Sequence, residues 1–179
     1  MKLLKFVLLS VLIVLGLAMA YGISPMRPVR DVFTFTTIDA PKQKVWQVLT
    51  NFDAYRQWNP FYTQVEGKCL AGTKLRIQVQ MQEHTLFYSP EIETVTPQAE
   101  LAWHERLILP GLFDGEHRFE LESNDAGQTR FVQHDRYSGT LVPLLMNLYQ
   151  AEAETGFRRM NDALKKRAEQ ESALDAQQR

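Results

Sequence analysis

The feature that most constrains the fold is a long amphipathic pattern near the C-terminus. From Leu141 to Leu164, apolar residues recur at spacings of three and four, which predicts one long helix with a single apolar face. Thr140 is a suitable N-cap, and Pro143 is acceptable in the first helical turn. Because such a face must be buried, the rest of the chain has to supply a partner surface. The face comprises Leu141, Leu144, Leu145, Leu148, Tyr149, Ala153, Gly156, Phe157, Met160 and Leu164.

A series of short strands provides that surface. Residues 73–81 show the clearest alternation, with apolar residues at every second position from Leu75 to Met81. One buried and one wet face is typical of an antiparallel sheet. Ser89-Pro90 separates two of the segments and suggests one strand with an edge break. The other candidate strands are 32–38, 62–66, 85–88, 91–96, 101–107, 115–122 and 129–138.

A bent helical element lies between the first strand and the others. Ala40-Pro41 indicates a helix start, since proline at the first helical position gives up an N–H that has no partner there. Asp53 is a suitable cap for a second short helix, and Asn59-Pro60 ends it. The order of elements predicts an α+β fold, in which a curved antiparallel sheet wraps around the long C-terminal helix.

Composition and cysteine content remove several classes of function. The 179-residue chain has a formal net charge of −1 and a pI of about 6.4, which gives no electrostatic reason to expect nucleic acid as a partner. Cys69 is the only cysteine, so no intrachain disulfide is possible. His84, His104 and His134 do not stand in a metal-ligand spacing with Cys69, and no phosphate-binding loop or nucleophile elbow is present in the sequence. We therefore expect no metal and no cofactor.

The N-terminus is a separate hydrophobic segment. Lys2 and Lys5 precede an uncharged run from Phe6 to Ser24, which is close to the length that spans a bilayer. The run also fits a signal peptide with a small-residue cleavage site that ends at Ala20. The basic flank predicts a membrane anchor with the folded part on the extracytoplasmic side, and the alternative is export after cleavage near Ala20. The chain then divides into an anchor or signal segment with its linker (1–28), a folded domain (29–170) and a polar tail (171–179) that we expect to fray.

Several short motifs occur in an order that resembles a known superfamily. They are Ile38-Asp39-Ala40-Pro41, Val45-Trp46, Trp58-Asn59-Pro60-Phe61, Gly72-Thr73-Lys74-Leu75, Gly115-Glu116-His117-Arg118-Phe119 and Ser138-Gly139-Thr140-Leu141. In this order they resemble the START-like, or SRPBCC, superfamily with its helix-grip fold, and within it the polyketide cyclase/dehydrase-like group. The resemblance covers Arg30 to Ala168, and the hydrophobic N-terminal segment is an addition to the minimal domain. It implies a deep, mostly apolar cavity between the sheet and the last helix.

The strand alternation places polar groups on the cavity side. If the last three strands are antiparallel neighbours, Glu105, His117 and either Gln133 or Asp135 lie side by side, with Cβ atoms about 5 Å apart. A carboxylate beside an imidazole in an apolar cleft can act in acid–base chemistry. The competing interpretation is a satisfied polar cluster that orients a ligand, since inward polar groups need partners in either case.

The leading functional hypothesis is a binding module for a small hydrophobic or amphipathic molecule or lipid near the membrane. We expect the stripe of Leu145, Leu148, Tyr149 and Met160 to face a pocket. The predicted ligand-binding residues are Trp58, Trp103, His117, Phe119, Gln133, Asp135, Met146 and Tyr149.

Two alternatives remain open. The first is an enzyme of the polyketide cyclase/dehydratase type with His117, Glu105 and Asp135 as candidate acid–base residues. The second is a surface-interaction domain like the Hsp90-activator branch of the superfamily, which an extracytoplasmic location disfavours because that chaperone is cytoplasmic.

Overall fold

A computed structural model describes residues 2–107 and 109–178 of the chain. Helices and antiparallel strands form one α+β fold in which the C-terminal helix lies across curved sheets, as predicted. The helices are α1 (Lys2–Gly22), α2 (Lys42–Thr50), α3 (Tyr55–Trp58) and α4 (Val142–Gln177), with a 3-10 turn at Phe52–Ala54. The strands are β1 (Val29–Ile38), β2 (Tyr62–Glu66), β3 (Arg76–Gln80), β4 (Thr85–Tyr88), β5 (Glu91–Thr96), β6 (Glu100–Arg106), β7 (Asp114–Ser123) and β8 (Thr129–Ser138).

The strands form two sheets rather than one. The larger has the order β1-β8-β7-β6-β5, and the smaller has the order β2-β3-β4. Residues 85–88 and 91–96 were predicted as one broken strand, but the chain changes sheet at Ser89-Pro90, so that β4 pairs with β3 and β5 pairs with β6. The Leu75 N–H donates to the Pro90 carbonyl at 2.8 Å and joins the two sheets near this point. A proline is well placed there because it lacks an N–H for continued strand pairing.

Helix α4 is buried along only part of its predicted apolar face. Met160 and Leu164 are fully buried, whereas Leu144 and Leu148 near the N-terminus of the helix are 61% and 65% exposed. Thr140 is not the N-cap, as Leu141 occupies that position and the Thr140 hydroxyl donates to the Ala18 carbonyl at 2.6 Å. In the first turns Val142 and Met146 are buried instead, so the buried face of α4 differs there from the predicted one.

The tail that was expected to fray is helical. Helix α4 continues to Gln177, and Lys44 of α2 pairs with Asp175 at 2.8 Å. Arg167 also pairs with Glu171 one turn further along α4, at 2.6 Å. Pairs of opposite charge at this spacing support an exposed helix, and the contact with α2 holds the end of it.

Gly156 allows α4 to approach an aromatic side chain closely. The sequence predicted a close approach of the helix to the sheet, and the structure identifies the neighbour as Phe61, directly before β2. A Cβ atom at position 156 would overlap the Phe61 ring. Phe61 also packs edge-on against Phe157, with ring centroids 5.4 Å apart. This contact sets the distance between the middle of α4 and the smaller sheet.

Helix α1 projects away from the rest of the fold. It is long and apolar enough to cross a membrane, although a signal sequence near an N-terminus meets the same test, and none of its most apolar window is buried. The hydrophobic core is drawn from residues between Val32 and Ala168. We propose that residues 29–170 are the folding unit, since the core needs nothing from α1.

We predict that Gly156→Ala destabilises the protein by about 1–3 kcal/mol, because the added methyl group must displace the Phe61 ring in a packed core. Chemical denaturation measures the change in the free energy of unfolding. In a Phe61→Leu background the same substitution should cost much less, since the ring has been removed. If Gly156→Ala lowers the free energy of unfolding equally in the native and the Phe61→Leu backgrounds, contact with Phe61 is not the reason that position 156 requires glycine.

Candidate functional site

A cavity of about 740 Å³ lies between the larger sheet, the β3–β4 hairpin and the N-terminal half of α4. Its wall combines aliphatic and aromatic side chains with a few polar groups. The residues that line it include Phe61, Tyr62, Val79, Met81, Leu86, Phe87, Tyr88, Trp103, Glu105, Leu107, Phe113, His117, Asp135, Tyr137, Leu145, Met146, Tyr149, Ala153 and Phe157. Along α4 the cavity extends from Leu145 to Phe157, and the contact of Gly156 with Phe61 lies at its C-terminal end.

The structure places some of the predicted ligand-binding residues at this cavity and others elsewhere. Trp103, His117, Asp135, Met146 and Tyr149 line it, and so does Glu105. Trp58, Phe119 and Gln133 are absent from the lining, as are Leu148 and Met160 of the predicted helix stripe.

Gln133 has a structural partner instead of a cavity position. Its side-chain amide donates to the side-chain oxygen of Asn161 and to the Phe157 carbonyl, both on α4. The Asn161 amide in turn donates to the Thr34 hydroxyl of β1 at 3.1 Å. These buried hydrogen bonds tie α4 to the sheet, so Gln133 acts below the cavity rather than in its wall.

Two predicted aromatic residues also lie outside the cavity wall. Phe119 is fully buried and packs beneath the cavity against Trp103, with ring centroids 5.0 Å apart. Trp58 packs edge-on against Tyr55 at the end of α3, with centroids 4.9 Å apart. Strand alternation predicted the correct face of the sheet for Phe119. Alternation does not distinguish a residue that lines a cavity from one that packs in the core.

The polar floor of the cavity is built on consecutive strands. Trp103 of β6, His117 of β7 and Asp135 of β8 are directly opposite one another in the sheet register. His117 Nδ1 lies 2.6 Å from Asp135 Oδ1, and both side chains are buried. The Tyr137 hydroxyl donates to the other oxygen of Asp135 at 2.5 Å. Asp135 thus orients the imidazole. Of the set predicted to lie side by side, His117 and Asp135 are opposite each other, whereas Glu105 is opposite Gly115.

One ring nitrogen of His117 has no partner among the described residues. His117 Nε2 is buried without a hydrogen bond, while Nδ1 is engaged by Asp135. The ring is stacked on Trp103 with an interplanar angle of 18° and centroids 5.2 Å apart. A buried polar atom without a partner is uncommon in proteins, and Trp58 Nε1, Asn59 Nδ2 and Gln133 Oε1, which belong to residues outside the cavity lining, share this condition in the described part of the chain.

Glu105 is a second polar group that opens onto the cavity. It lies opposite Gly115, and its side chain occupies the space that a Cβ at that glycine would take. Its carboxyl makes no hydrogen bond or ion pair with another residue in the described part of the chain. Burial, and then the nearby Asp135, raises the pKa of Glu105 to about 8. The carboxyl is therefore largely protonated at neutral pH and can donate a hydrogen bond.

Three phenols complete the floor, and sequence reasoning assigned none of them to the site. Tyr62 and Tyr88 come from the smaller sheet, and Tyr137 comes from β8. Burial raises the pKa of Tyr62, Tyr88 and Tyr137 well above the usual range, so each remains a neutral hydroxyl. Alternation along β8 already placed Tyr137 on the face of Asp135, whereas Tyr62 and Tyr88 reach the site only through the packing of one sheet on the other.

We predict that the protein loses stability as the pH rises from about 5 to 8, and that Glu105 causes part of this loss. A carboxyl whose pKa is raised in the folded state keeps its proton while the unfolded chain releases it, so the folded state is disfavoured as the pH increases through this window. Glu105→Gln should remove this dependence and stabilise the protein at pH 8 by roughly 2 kcal/mol. Denaturant titrations at several pH values measure the effect.

Glu93→Gln is the matched control, because Glu93 is an exposed carboxyl on the neighbouring β5. It should leave the pH dependence unchanged. If the free energy of unfolding changes with pH in the same way for Glu105→Gln and for the native chain, Glu105 ionises normally in the folded protein.

Curved sheets, a long C-terminal helix and a cavity between them are the arrangement of the helix-grip class of proteins. Residues 30–169 match the family described as polyketide cyclase / dehydrase and lipid transport, and the chain belongs to this family. The match spans nearly all of the chain beyond α1 and its linker. A search of curated protein sequences finds no match.

Solved structures share the fold at low sequence identity. The Zhui aromatase/cyclase from Streptomyces sp. R1128 superposes with a TM-score of 0.66 at 18% identity, covering 79% of this chain and 94% of that one. A START superfamily protein from Mycobacterium smegmatis gives 0.61 at 20% identity, covering 78% and 97%. A Thalictrum norcoclaurine synthase gives 0.62 at 14% identity, covering 79% and 95%. At these identities the likeness establishes the START-like fold alone.

Proposed function

We propose that the protein binds a small amphipathic molecule in the cavity. The observation that carries this proposal is the cavity itself, about 740 Å³ in volume, with the Glu105 carboxyl and the His117–Asp135 pair at its floor. This volume is within the range of small-molecule sites, which are mostly apolar with a few convergent polar groups. The apolar body of the ligand would pack against the aromatic and aliphatic wall, and its polar end would meet the floor.

The floor favours a ligand with both hydrogen-bond donors and acceptors. Neutral Glu105 supplies a donor and an acceptor, and each phenol can do the same. Asp135 is already engaged on both oxygens, by His117 and by Tyr137, so it acts through the orientation of His117. A ligand that left the Glu105 carboxyl without a partner would lose part of its binding free energy to the desolvation of that group.

We propose that α1 anchors the protein in a membrane, with Lys2 and Lys5 on the cytoplasmic side and the domain on the extracytoplasmic side. The uncharged run from Phe6 to Ser24 supports the anchor, and Lys2 and Lys5 before it support this orientation. The alternative is an exported protein released by cleavage near Ala20.

Native mass spectrometry of the full chain, purified from its own host in detergent, tests the binding proposal. We expect a protein species that carries a small molecule. Met146→Trp places a larger side chain at a buried position of the cavity wall and should abolish this species without loss of folding. Leu174→Trp is the control, because it makes a similar change at an exposed site on the same helix, outside the cavity.

The two variants decide between a cavity and a packed core. If Met146→Trp keeps the bound molecule as well as Leu174→Trp does, the ligand does not lie in this cavity. If Met146→Trp strongly destabilises the fold, the space at that position is already filled, because overpacking a dense core costs typically about 1–3 kcal/mol.

A second candidate function is acid–base catalysis in the same cavity. It is favoured by a carboxyl with a pKa of about 8 and an oriented imidazole in one enclosed space, because efficient proton transfer needs groups that titrate near the working pH. Glu105 would donate a proton, while His117, held by Asp135, would accept one. This arrangement suits a cyclase or dehydratase.

His117→Asn separates the two functions. A binding protein should carry the same molecule in the native and variant forms, with altered occupancy. A dehydratase should carry its product in the native form and its substrate in the variant, so that the two bound masses differ by one water. Identical bound masses, together with unchanged Glu105 titration, would argue against catalysis.

A further inference from the structure

The mouth of the cavity is surrounded by exposed apolar side chains. Most of them come from β4, from the β6–β7 loop and from the first turns of α4, and we call this set the mouth rim. It consists of Leu86, Phe87, Leu107, Leu109, Leu144, Leu148 and Tyr149.

These residues form one surface because they border one opening. Leu86, Phe87, Leu107 and Tyr149 line the cavity itself. Leu144 and Leu148 lie on successive turns of α4, beside the lining residues Leu145 and Tyr149. Large apolar side chains at such exposure, gathered around a cavity mouth, mark a surface that contacts an apolar partner.

Helix α1 meets the domain at the same end of the molecule. The Thr140 hydroxyl donates to the Ala18 carbonyl, and Gly22 is packed against the backbone of Gly111. Gly111 belongs to the β6–β7 loop that carries Leu107 and Leu109, and its carbonyl accepts a hydrogen bond from the Thr140 N–H at 2.9 Å. Only the last turns of α1 make these contacts, so the remainder of the helix extends away from the domain beside the rim.

The length of α1 leaves no gap between the domain and a bilayer. The uncharged part of α1, from Phe6 to Gly22, has 17 residues and is about 26 Å long, and the hydrocarbon core of a bilayer is about 30 Å thick. If α1 spans the core, its last turns lie at the membrane interface, and Gly111 and Thr140 must lie there too. Leu144 and Leu148 follow Thr140 by about 6 and 12 Å along α4, which keeps them within reach of the interfacial layer.

We propose that the mouth rim rests on the bilayer that holds α1, so that the cavity opens into the lipid interface and exchanges its ligand with the membrane. The bilayer is the occupant that the structure favours, because the rim is continuous with the end of an apolar helix of membrane-spanning length. The mouth rim and α1 are the observations that support docking. The exchange of ligand rests in addition on the proposed binding function.

The polar interruption in the rim is small and peripheral. Gln82, Glu83 and His84 form the exposed tip of the β3–β4 turn. Arg106, next to Leu107, pairs with Asp114 at 2.9 Å, which neutralises the charge nearest to the opening. Such groups can remain among the lipid head groups while Phe87 and Leu148 enter the acyl boundary.

Site-specific fluorescence of the full chain in phosphatidylcholine vesicles tests the docking. A Cys69→Ser background removes the only native thiol, and single cysteines are introduced as Leu148→Cys, Phe87→Cys and, as the control, Asp125→Cys. Asp125 is exposed in the β7–β8 turn, at the end of β7 away from the β6–β7 loop. Each cysteine carries a nitrobenzoxadiazole label, and quenching by doxyl-labelled lipid is measured.

We expect quenching of the labels at positions 148 and 87 to be several-fold stronger than quenching at position 125. Equal quenching at the three positions would overturn the proposal. A label at 125 that is quenched more than the others would also overturn it, because the domain would then face the bilayer with its opposite end.

Exchange of ligand is tested separately with N-phenyl-1-naphthylamine as the probe, preloaded into the vesicles. The double variant Leu144→Glu, Leu148→Glu should take up this dye from vesicles about tenfold more slowly, since charges at the interface oppose docking. Its equilibrium affinity for the dye should be unchanged. If the native chain does not bind the dye, the binding function is refuted and the docking result still stands. If the double variant takes up the dye as fast as the native chain does, exchange through the mouth rim is refuted.

Discussion

The structure depends on the way in which α4 is held along its length. The Phe61 ring is in van der Waals contact with the middle of the helix at Gly156. The Gln133–Asn161–Thr34 hydrogen bonds fix the next turns to the larger sheet. Nearer the N-terminus, Leu144 and Leu148 make no comparable contact and remain exposed. At the N-terminal end Val142 is fully buried, and the N–H groups of Thr140 and Leu141 donate to the carbonyls of Gly111 and Leu112. The cavity therefore lies along α4 between two places where the helix is held.

The polar floor is costly to maintain, and its arrangement limits that cost. Burying a carboxylate and an imidazole is unfavourable unless they satisfy each other, and the His117–Asp135 pair does so with help from Tyr137. Glu105 avoids the penalty of a buried charge by keeping its proton at neutral pH. The protein thus retains, at one place in an otherwise apolar cavity, polar groups that a well-packed core would exclude.

Much of this organisation could be predicted from sequence because periodicity reports which face a residue occupies. Alternation along β6, β7 and β8 placed Trp103, His117 and Asp135 on one face, and their side-by-side arrangement follows from strand pairing. Periodicity does not show how deep a residue lies. It therefore assigned Phe119 and Gln133 to the ligand wall, although one fills the core and the other holds α4. Tyr62 and Tyr88 were missed because their place depends on how the smaller sheet packs against the larger, which no local pattern encodes.

The change of sheet at Ser89-Pro90 has a consequence for solubility. It leaves β4 at the edge of the smaller sheet in the described part of the chain, with Leu86 and Phe87 exposed on it. An edge strand with apolar side chains and free backbone groups is a template for pairing with another chain. No proline or lysine within Thr85–Tyr88 blocks such pairing. A form of the protein released into water would therefore be prone to self-association through this strand.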